Sequence, residues 1–289
     1  MEMIFSTIQF IDSHSESIKH KNLIVVDGEP IWMRNAKAAK SLCDSSHGDN
    51  KVEKYCIKHN WICTTYETDI IPDGYGKRIP RSAINTGKCK LGDRVAGAVN
   101  YLNSYAYNAA DAYVLLLGNV VSMHPERLIA RACETWCDMK KMTPELTGLL
   151  SVTNSPMFGP GRALSLEHGL FARSVNPIDK RYGEEKQDEV RDSWFFDGGV
   201  MIMDAKNRLI DHTAVVMSDM SPSDWSGCGD FSTQFQYLGD CVLALKQKPL
   251  DSVEIDAPWQ ILLVSDKCKS IGNEIFREHA ERIEGRFEE

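Results

Sequence analysis

The run Ala112-Tyr113-Val114-Leu115-Leu116-Leu117 restricts the folds open to this chain more than any other stretch. It is apolar at every position, so both faces of an extended segment must be covered. A strand buried on both faces belongs in the middle of a parallel sheet with helices packed on either side. Gly118-Asn119 ends the strand, and Pro125 opens a helix reaching to about Cys137.

Other segments follow the same alternation. Met3 to Ile11 reads as a first strand, and Asp12 to Ser17 as a polar loop. Leu23 to Val26 is a short apolar run closed by the turn signal Asp27-Gly28. Pro30 suits the first turn of a helix ending near Leu42. Val52 to His59 is expected to be helical and Trp61 to Tyr66 extended. Apolar residues at 95, 98, 99 and 102 give helical spacing across Gly92 to Tyr107. Leu146 to Val152 and Gly198 to Met203 read as strands, Val253 to Asp256 as a strand end, and Pro258 as the start of a last helical region. Alternating strands and helices predict an α/β fold: a mainly parallel twisted sheet with helices on both faces. The 289 residues suffice for one such domain, expected over 1–270. A polar inserted arm is expected at about 155–195, and a C-terminal helix or tail over 271–289.

Charge excludes some functions. Lys and Arg number 33 against 41 Asp and Glu, a net charge of −8. Binding to duplex nucleic acid is driven by basic surfaces that release counterions, so nucleic acid is not expected as a partner. No apolar run reaches 18 residues, which predicts no membrane-spanning helix. The opening Met1-Glu2-Met3 lacks the basic start of a secretory signal, and nine cysteines occur without a CxxC pair. The expected compartment is a reducing cytoplasm. Cys133 and Cys137 are spaced to share a metal on a helix, but core thiols are the plainer reading.

In open parallel sheets a ligand sits beyond the carboxyl ends of the strands. Candidate residues are therefore those that follow each strand. The loop after the first strand supplies Ser13, Ser15, Ser17, Lys19, Lys21 and Asn22, whose hydroxyl, amide and ammonium groups suit phosphate oxygens. Glu254 and Asp256 are two apart, so on an extended strand they share a face. Two hard carboxylates beside a polyphosphate suit Mg²⁺. Lys77, Arg78, Arg81, Lys88 and Lys90 form the most basic stretch, inside a long Gly- and Pro-rich loop from Ile70 to Lys90. Gly198-Gly199 serves either close approach of a ligand or a bulge. His124, His168 and His212 fall in no metal or triad spacing.

Three of these pieces, in order, resemble the acylneuraminate and KDO cytidylyltransferases, the CMP-sugar-acid synthetases. They are His20-Lys21-Asn22-Leu23 through Gly28-Glu29-Pro30-Ile31, Tyr113 to Val120 through His124-Pro125-Glu126, and Val253-Glu254-Ile255-Asp256-Ala257-Pro258. Phe196 to Asp204 is similar to a further strand of that family. The resemblance implies a glycosyltransferase-A-like nucleotidyltransferase fold and transfer of CMP from CTP to an acidic sugar with Mg²⁺. It implies catalytic roles for Lys21 and Asp256, and a metal at Glu254 and Asp256. It places nucleotide contacts at Ser13, Ser15, Lys19, Lys21, Asn22, Arg81 and Asn119. It also implies a homodimer in which the inserted arm covers the partner's sugar pocket. The chain departs from the family pattern in the first loop. Asp12 stands where an arginine is usual, and Ser15-Glu16-Ser17 where Ser-Lys-Gly is usual. Asp44-Ser45-Ser46 is the nearest match to the family's Ser-Thr-Asp element. A non-catalytic nucleotide- or sugar-binding relative is the first alternative. A metal-dependent glycosyltransferase is the second, although the Asp-x-Asp it needs is replaced by Gly118-Asn119.

Overall fold

The apolar run Ala112–Leu117 is an interior strand of the sheet, with a neighbour on each side. A computed structural model describes residues 2–11, 21–46, 54–66, 71–84, 91–104, 109–153, 164–167, 171–174, 196–206, 241–248, 251–255 and 260–265. Among these, β1 (Met3–Ile11), β4 (Tyr55–Thr64), β5 (Lys77–Arg78), β6 (Ala112–Leu117), β8 (Gly148–Thr153), β9 (Leu164–Glu167), β10 (Phe171–Ser174), β11 (Phe196–Asp204) and β12 (Val242–Gln247) form one sheet. Its order is β5-β4-β1-β6-β11-β8-β12-β10-β9. Strands β5, β4, β1 and β6 pair in parallel, as do β8 and β12. Strand β11 runs antiparallel between β6 and β8, and β10 antiparallel between β12 and β9. The parallel set β5-β4-β1-β6 at the heart of the fold is as expected, and antiparallel pairing enters at β11 and again at β10.

Alternation along β6 separates two cores. Tyr113, Leu115 and Leu117 join Ile8, Phe10, Met201 and Met203 on one face, under helix α2 (Leu91–Ser104) through Val95, Ala98, Val99 and Leu102. Ala112, Val114 and Leu116 join Phe5 and Ile202 on the other. There they meet α1 (Ile31–Ser46) through Ala38 and Ala39, and α3 (Pro125–Met142) through Ile129, Cys133 and Trp136. Each apolar β6 side chain is at most 8% exposed. Full burial of a Leu or Val contributes about 1.5–3 kcal/mol, so this strand anchors the fold from both sides.

Several local expectations change. Residues 55–59 are not helical but form the first half of β4, which runs unbroken to Thr64. Pairing with β1 overrides the local pattern there, with a register shift opposite Phe5/Ser6. Helix α1 starts at Ile31 rather than Pro30 and continues past Leu42 to Ser46, so Asp44-Ser45-Ser46 is its last turn. Asp44 there bridges Lys40, and Ser45 Oγ donates to the Leu42 carbonyl. Pro30 instead belongs to β3 (Glu29–Pro30), which forms a hairpin with β2 (Val25–Val26). The turn Asp27-Gly28 has φ of 52° and 90°, the left-handed pair that a tight two-residue hairpin requires. Within the 70–90 stretch, β5 and a 3-10 turn at Arg81–Ala83 are ordered elements. Within the range 155–195, expected as an inserted arm, β9 and β10 pair as a hairpin at the sheet edge. Strand β12, absent from the sequence reading, is another correction. No helix among the described residues is long and apolar enough to cross a membrane. The stretch 271–289, expected as a C-terminal helix or tail, lies outside the described residues.

A candidate site at the carboxyl end of the sheet

Strands β1, β4 and β6 end level with one another. Ile11 pairs with Thr64, and Phe10 with Leu117. Three polypeptide pieces meet where β1 and β6 stop: a 3-10 turn at Lys21–Leu23, the turn Gly118-Asn119, and β13 (Ser252–Glu254). β13 pairs antiparallel with β7 (Val120–Ser122) in a two-stranded sheet that continues from β6.

Glycine at 118 is what lets these pieces touch. Its N–H donates to the Phe10 carbonyl at 2.8 Å. A Cβ added at this position would stand 2.6 Å from that same carbonyl oxygen and 3.1 Å from Asn22 Oδ1. No real Cβ sits so near a backbone oxygen, so the Lys21–Leu23 turn packs against the end of β6 only because residue 118 has no side chain. Asn22 is 2% exposed. Lys21, beside it, is half-buried, and its carbonyl accepts the Ile24 N–H.

Asn119 then connects this turn to Glu254. Its Nδ2 donates to Glu254 Oε1 at 2.8 Å, and its carbonyl accepts the Ile255 N–H at 2.9 Å. Glu254 is 5% exposed. A carboxylate so deeply placed must be hydrogen-bonded to be tolerated, and the Asn119 amide does that. Lys21, Asn22, Asn119 and Glu254, chosen from sequence, are thus gathered at one edge of the sheet. Arg81 lies further along the same edge, beyond β4, where its Nη2 donates to the Thr65 carbonyl at 2.8 Å. Ser13, Ser15, Lys19 and Asp256 lie outside the described residues, as do the acidic substitutions Asp12 and Glu16.

A satellite core floors the site. Val26, Ile31, Val121, Val253, Ile255, Leu263 and Val264 form a cluster distinct from the two sheet-face cores. Glu254 is flanked by two of its members, and Asn119 lies two residues before a third. Helix α4 (Ile261–Val264) closes this cluster. Asn35, on α1, is 3% exposed and donates its Nδ2 to the carbonyls of Leu117 and Val120, fixing the strand-to-turn exit from within.

The remaining candidates among the described residues make structural contacts. Arg78 donates to the Ile71 carbonyl and pairs with Asp73, and Lys77 lies 5.6 Å over the Trp61 ring. Lys88 and Lys90 lie outside the described residues. Gly199 has a φ of 81°, where β11 shifts register against β8, and a Cβ there would fall 2.3 Å from Val120 Cγ1. Of its two readings, the bulge holds. His124 is exposed and precedes α3. Cys133 and Cys137 are buried and free, and burial raises both thiols, that of Cys137 to about 11. Buried thiols raised in this way are poor nucleophiles, and both side chains pack into the core.

Among the described residues no three His, Cys, Asp or Glu side chains converge in a metal cage. One buried carboxylate oriented by an amide is nonetheless the donor set that Mg²⁺ uses. That ion keeps several waters and is held by one or two carboxylates together with substrate phosphates. The donor set among the described residues is compatible with a magnesium carried by substrate phosphates and does not supply the four ligands of a structural zinc.

No protein-family model matches the chain, and no curated protein sequence is similar to it. Solved structures do share its fold. A CMP:2-keto-3-deoxy-manno-octonic acid synthetase complexed with CTP superposes with a TM-score of 0.56 at 13% identity, covering 96% of this chain and all of that one. A putative glucose-1-phosphate thymidylyltransferase from Bacillus anthracis gives 0.53 at 12% identity, covering 91% and 95%. The 4-diphosphocytidyl-2C-methyl-D-erythritol synthase from Anaerococcus prevotii gives 0.51 at 10%, covering 93% and 99%. At these identities the likeness is one of architecture. The chain has the glycosyltransferase-A-like nucleotidyltransferase fold, with its candidate site at the edge where the parallel strands end.

Proposed function

We propose that this protein is a nucleotidyltransferase that moves CMP from CTP to a hydroxyl of an acidic sugar, a nonulosonic or octulosonic acid, and releases pyrophosphate. The observation that carries the reading is the meeting of the Lys21-Asn22 turn with Glu254 across Gly118-Asn119. A basic group and a buried carboxylate at the mouth of a parallel sheet are the two things a magnesium-bound triphosphate needs. The nucleotidyltransferase neighbours support the class of reaction, and the sequence resemblance supports the sugar acid and the base.

In this reaction the sugar oxygen forms a bond to the α-phosphorus. The bond from that phosphorus to the bridging oxygen of pyrophosphate breaks, and the hydroxyl proton leaves to a nearby base or water. Catalysis of this kind is mostly positioning and neutralisation of charge. Lys21 places a positive charge at the phosphates, where it is strongest against the charge that grows on the leaving group. Asn22 and the loop residues Ser13, Ser15 and Lys19 orient phosphate oxygens. Asn119 holds Glu254 in one rotamer. Glu254 and Asp256 would hold Mg²⁺, which when bound neutralises the phosphate charge. Arg81 frames the base and sugar side, and a second copy of the chain completes the sugar pocket.

The test uses the full chain with CTP, Mg²⁺ and a panel of nonulosonic and octulosonic acids, with pyrophosphate release as the readout. Release with one of these acids that is lost in Asp256→Ala supports the reading. A thermal shift with no response to any nucleotide overturns it. A second reading, nucleotide binding without turnover, is favoured by one feature: acids at Asp12 and Glu16 where the resembling family has bases. CMP binding with no pyrophosphate from any acid selects that reading.

A further inference from the structure

Between α1 and the C-terminal segment lies a polar network that none of the site residues belongs to. Arg34 projects from the first turn of α1 and uses its two terminal nitrogens in different directions. Nη2 donates to Asp27 Oδ2 at 3.1 Å, and Nη1 donates to the Val264 carbonyl at 3.2 Å. Asp27 in turn accepts from Ser265 Oγ at 2.9 Å through its other oxygen. Asp27 is held at a φ of 52°, a left-handed conformation that an Asp adopts at some cost. The network joins a hairpin turn to a segment some 238 residues away in sequence. It spans the satellite cluster that floors the site.

The two ends of this network are the two halves of the site. Going back along the chain from Asp27, β2 leads to Ile24 and the Lys21–Leu23 turn. Going back from Val264 and Ser265, the chain leads to Ile255 and Glu254. The β13–β7 ladder and Asn119 fix Glu254 against the end of β6, whereas the apolar packing of Val26, Ile31, Val253 and Val264, which ties the β2 turn and the 261–265 segment together, is non-directional. A guanidinium fork is directional, since its donors are rigidly spaced.

We infer that Arg34, with Asp27, is a positioning residue that sets the Glu254 segment against the Lys21-Asn22 turn. It therefore governs the affinity for a divalent cation and a nucleoside triphosphate held between them. The second half of this inference rests on the function proposed above, whereas the first does not. Lysine at 34 ends in one nitrogen, which would have to stand within reach of both acceptors that Nη1 and Nη2 of Arg34 reach separately, and it lacks the rigid spacing of the fork.

Two measurements on the full-length chain test it: amide hydrogen exchange, and CTP binding titrated against Mg²⁺. In Arg34→Ala, exchange of the Ile255 N–H, which bonds to Asn119 in the site, is expected to quicken at least tenfold. Exchange of the Gly118 N–H, which bonds to β1, stays within twofold of its original rate. The Mg²⁺ concentration that half-saturates CTP binding is expected to rise tenfold or more. Arg34→Lys recovers the thermal midpoint but not the Mg²⁺ response. Unchanged Ile255 exchange overturns the inference, and so does faster exchange with an unmoved Mg²⁺ requirement. Failure of the unsubstituted chain to bind CTP at any Mg²⁺ concentration counts against the proposed function. In that case the exchange ratio alone decides whether Arg34 sets the segment.

Discussion

Replacing Asn119 by Asp turns the amide that stabilises Glu254 into a second carboxylate. The two oxygens would begin at the present Nδ2–Oε1 separation of 2.8 Å. At an effective dielectric of about 20, two unit charges at that distance repel by about 6 kcal/mol. Asn119 is half-buried, so its side chain can swing outward; doubling the separation leaves about 3 kcal/mol. The lost hydrogen bond to a charged group adds about 1.5–3 kcal/mol. Asn119→Asp is therefore expected to be destabilised by roughly 4–6 kcal/mol at pH 7.5 without metal. The sign with pH follows from the repulsion. A second carboxylate raises the folded-state pKa of the pair above the unfolded value near 4. A group raised in the folded state stabilises below its unfolded pKa and loses that contribution as pH rises through the folded value. The deficit of Asn119→Asp should therefore shrink from pH 7.5 to pH 4.5, as one proton comes to be shared. Millimolar Mg²⁺ should shrink it at pH 7.5 as well, because a dication between two carboxylates replaces the proton. Urea unfolding of both proteins at the two pH values, with and without Mg²⁺, measures all of this. A deficit that is the same at both pH values and indifferent to Mg²⁺ would refute the pairing of Asn119 with Glu254.

Gly118→Ala is expected to lose about 1–3 kcal/mol through the clash with the Phe10 carbonyl, and to weaken CTP binding as Asn22 is pushed away; isothermal calorimetry and urea midpoints check both. Leu115→Ala, at a fully buried site in the middle of β6, should cost about 2–5 kcal/mol with nucleotide binding unchanged at temperatures where the chain stays folded. The Cys133 thiol, raised by burial, remains protonated in the fold while an unfolded thiol ionises near pH 9. Its contribution to stability is full below pH 9 and is lost above it, by up to about 1.4 kcal/mol per pH unit. Urea midpoints between pH 8 and 10.5 should fall less steeply in Cys133→Ala than in the original chain. Equal slopes would show that the thiol is not sheltered.

The class of the fold was legible because burial on both faces leaves a local trace. Ala112 to Leu117 has no polar position, and only a strand between two helical layers needs that. The helical period of α2 and the Pro125 start of α3 are equally local. The placement of Lys21, Asn22, Asn119 and Glu254 at the sheet's exit edge was legible for a related reason: polar residues in the segments that follow or end apolar strands stand there. Residues 55–59 were misread because their state is set by hydrogen bonds to β1, some 52 positions away, and not by their own pattern. The direction of β11, the insertion of β12 beside β8 and the pairing of β7 with β13 are of the same kind, since no short window contains both partners of a ladder.

Sequence alone thus determined that a layered sheet would form and which residues would stand at its open edge, because side-chain burial and chain order are written locally. Tertiary structure decided which of those residues meet. The contact of Asn22 with Gly118, the hydrogen bond from Asn119 to Glu254 and the Arg34 fork to Asp27 and Val264 each join segments 7 to 230 positions apart. Such contacts follow from how the sheet and helices close in space, a property of the whole chain rather than of any segment in it.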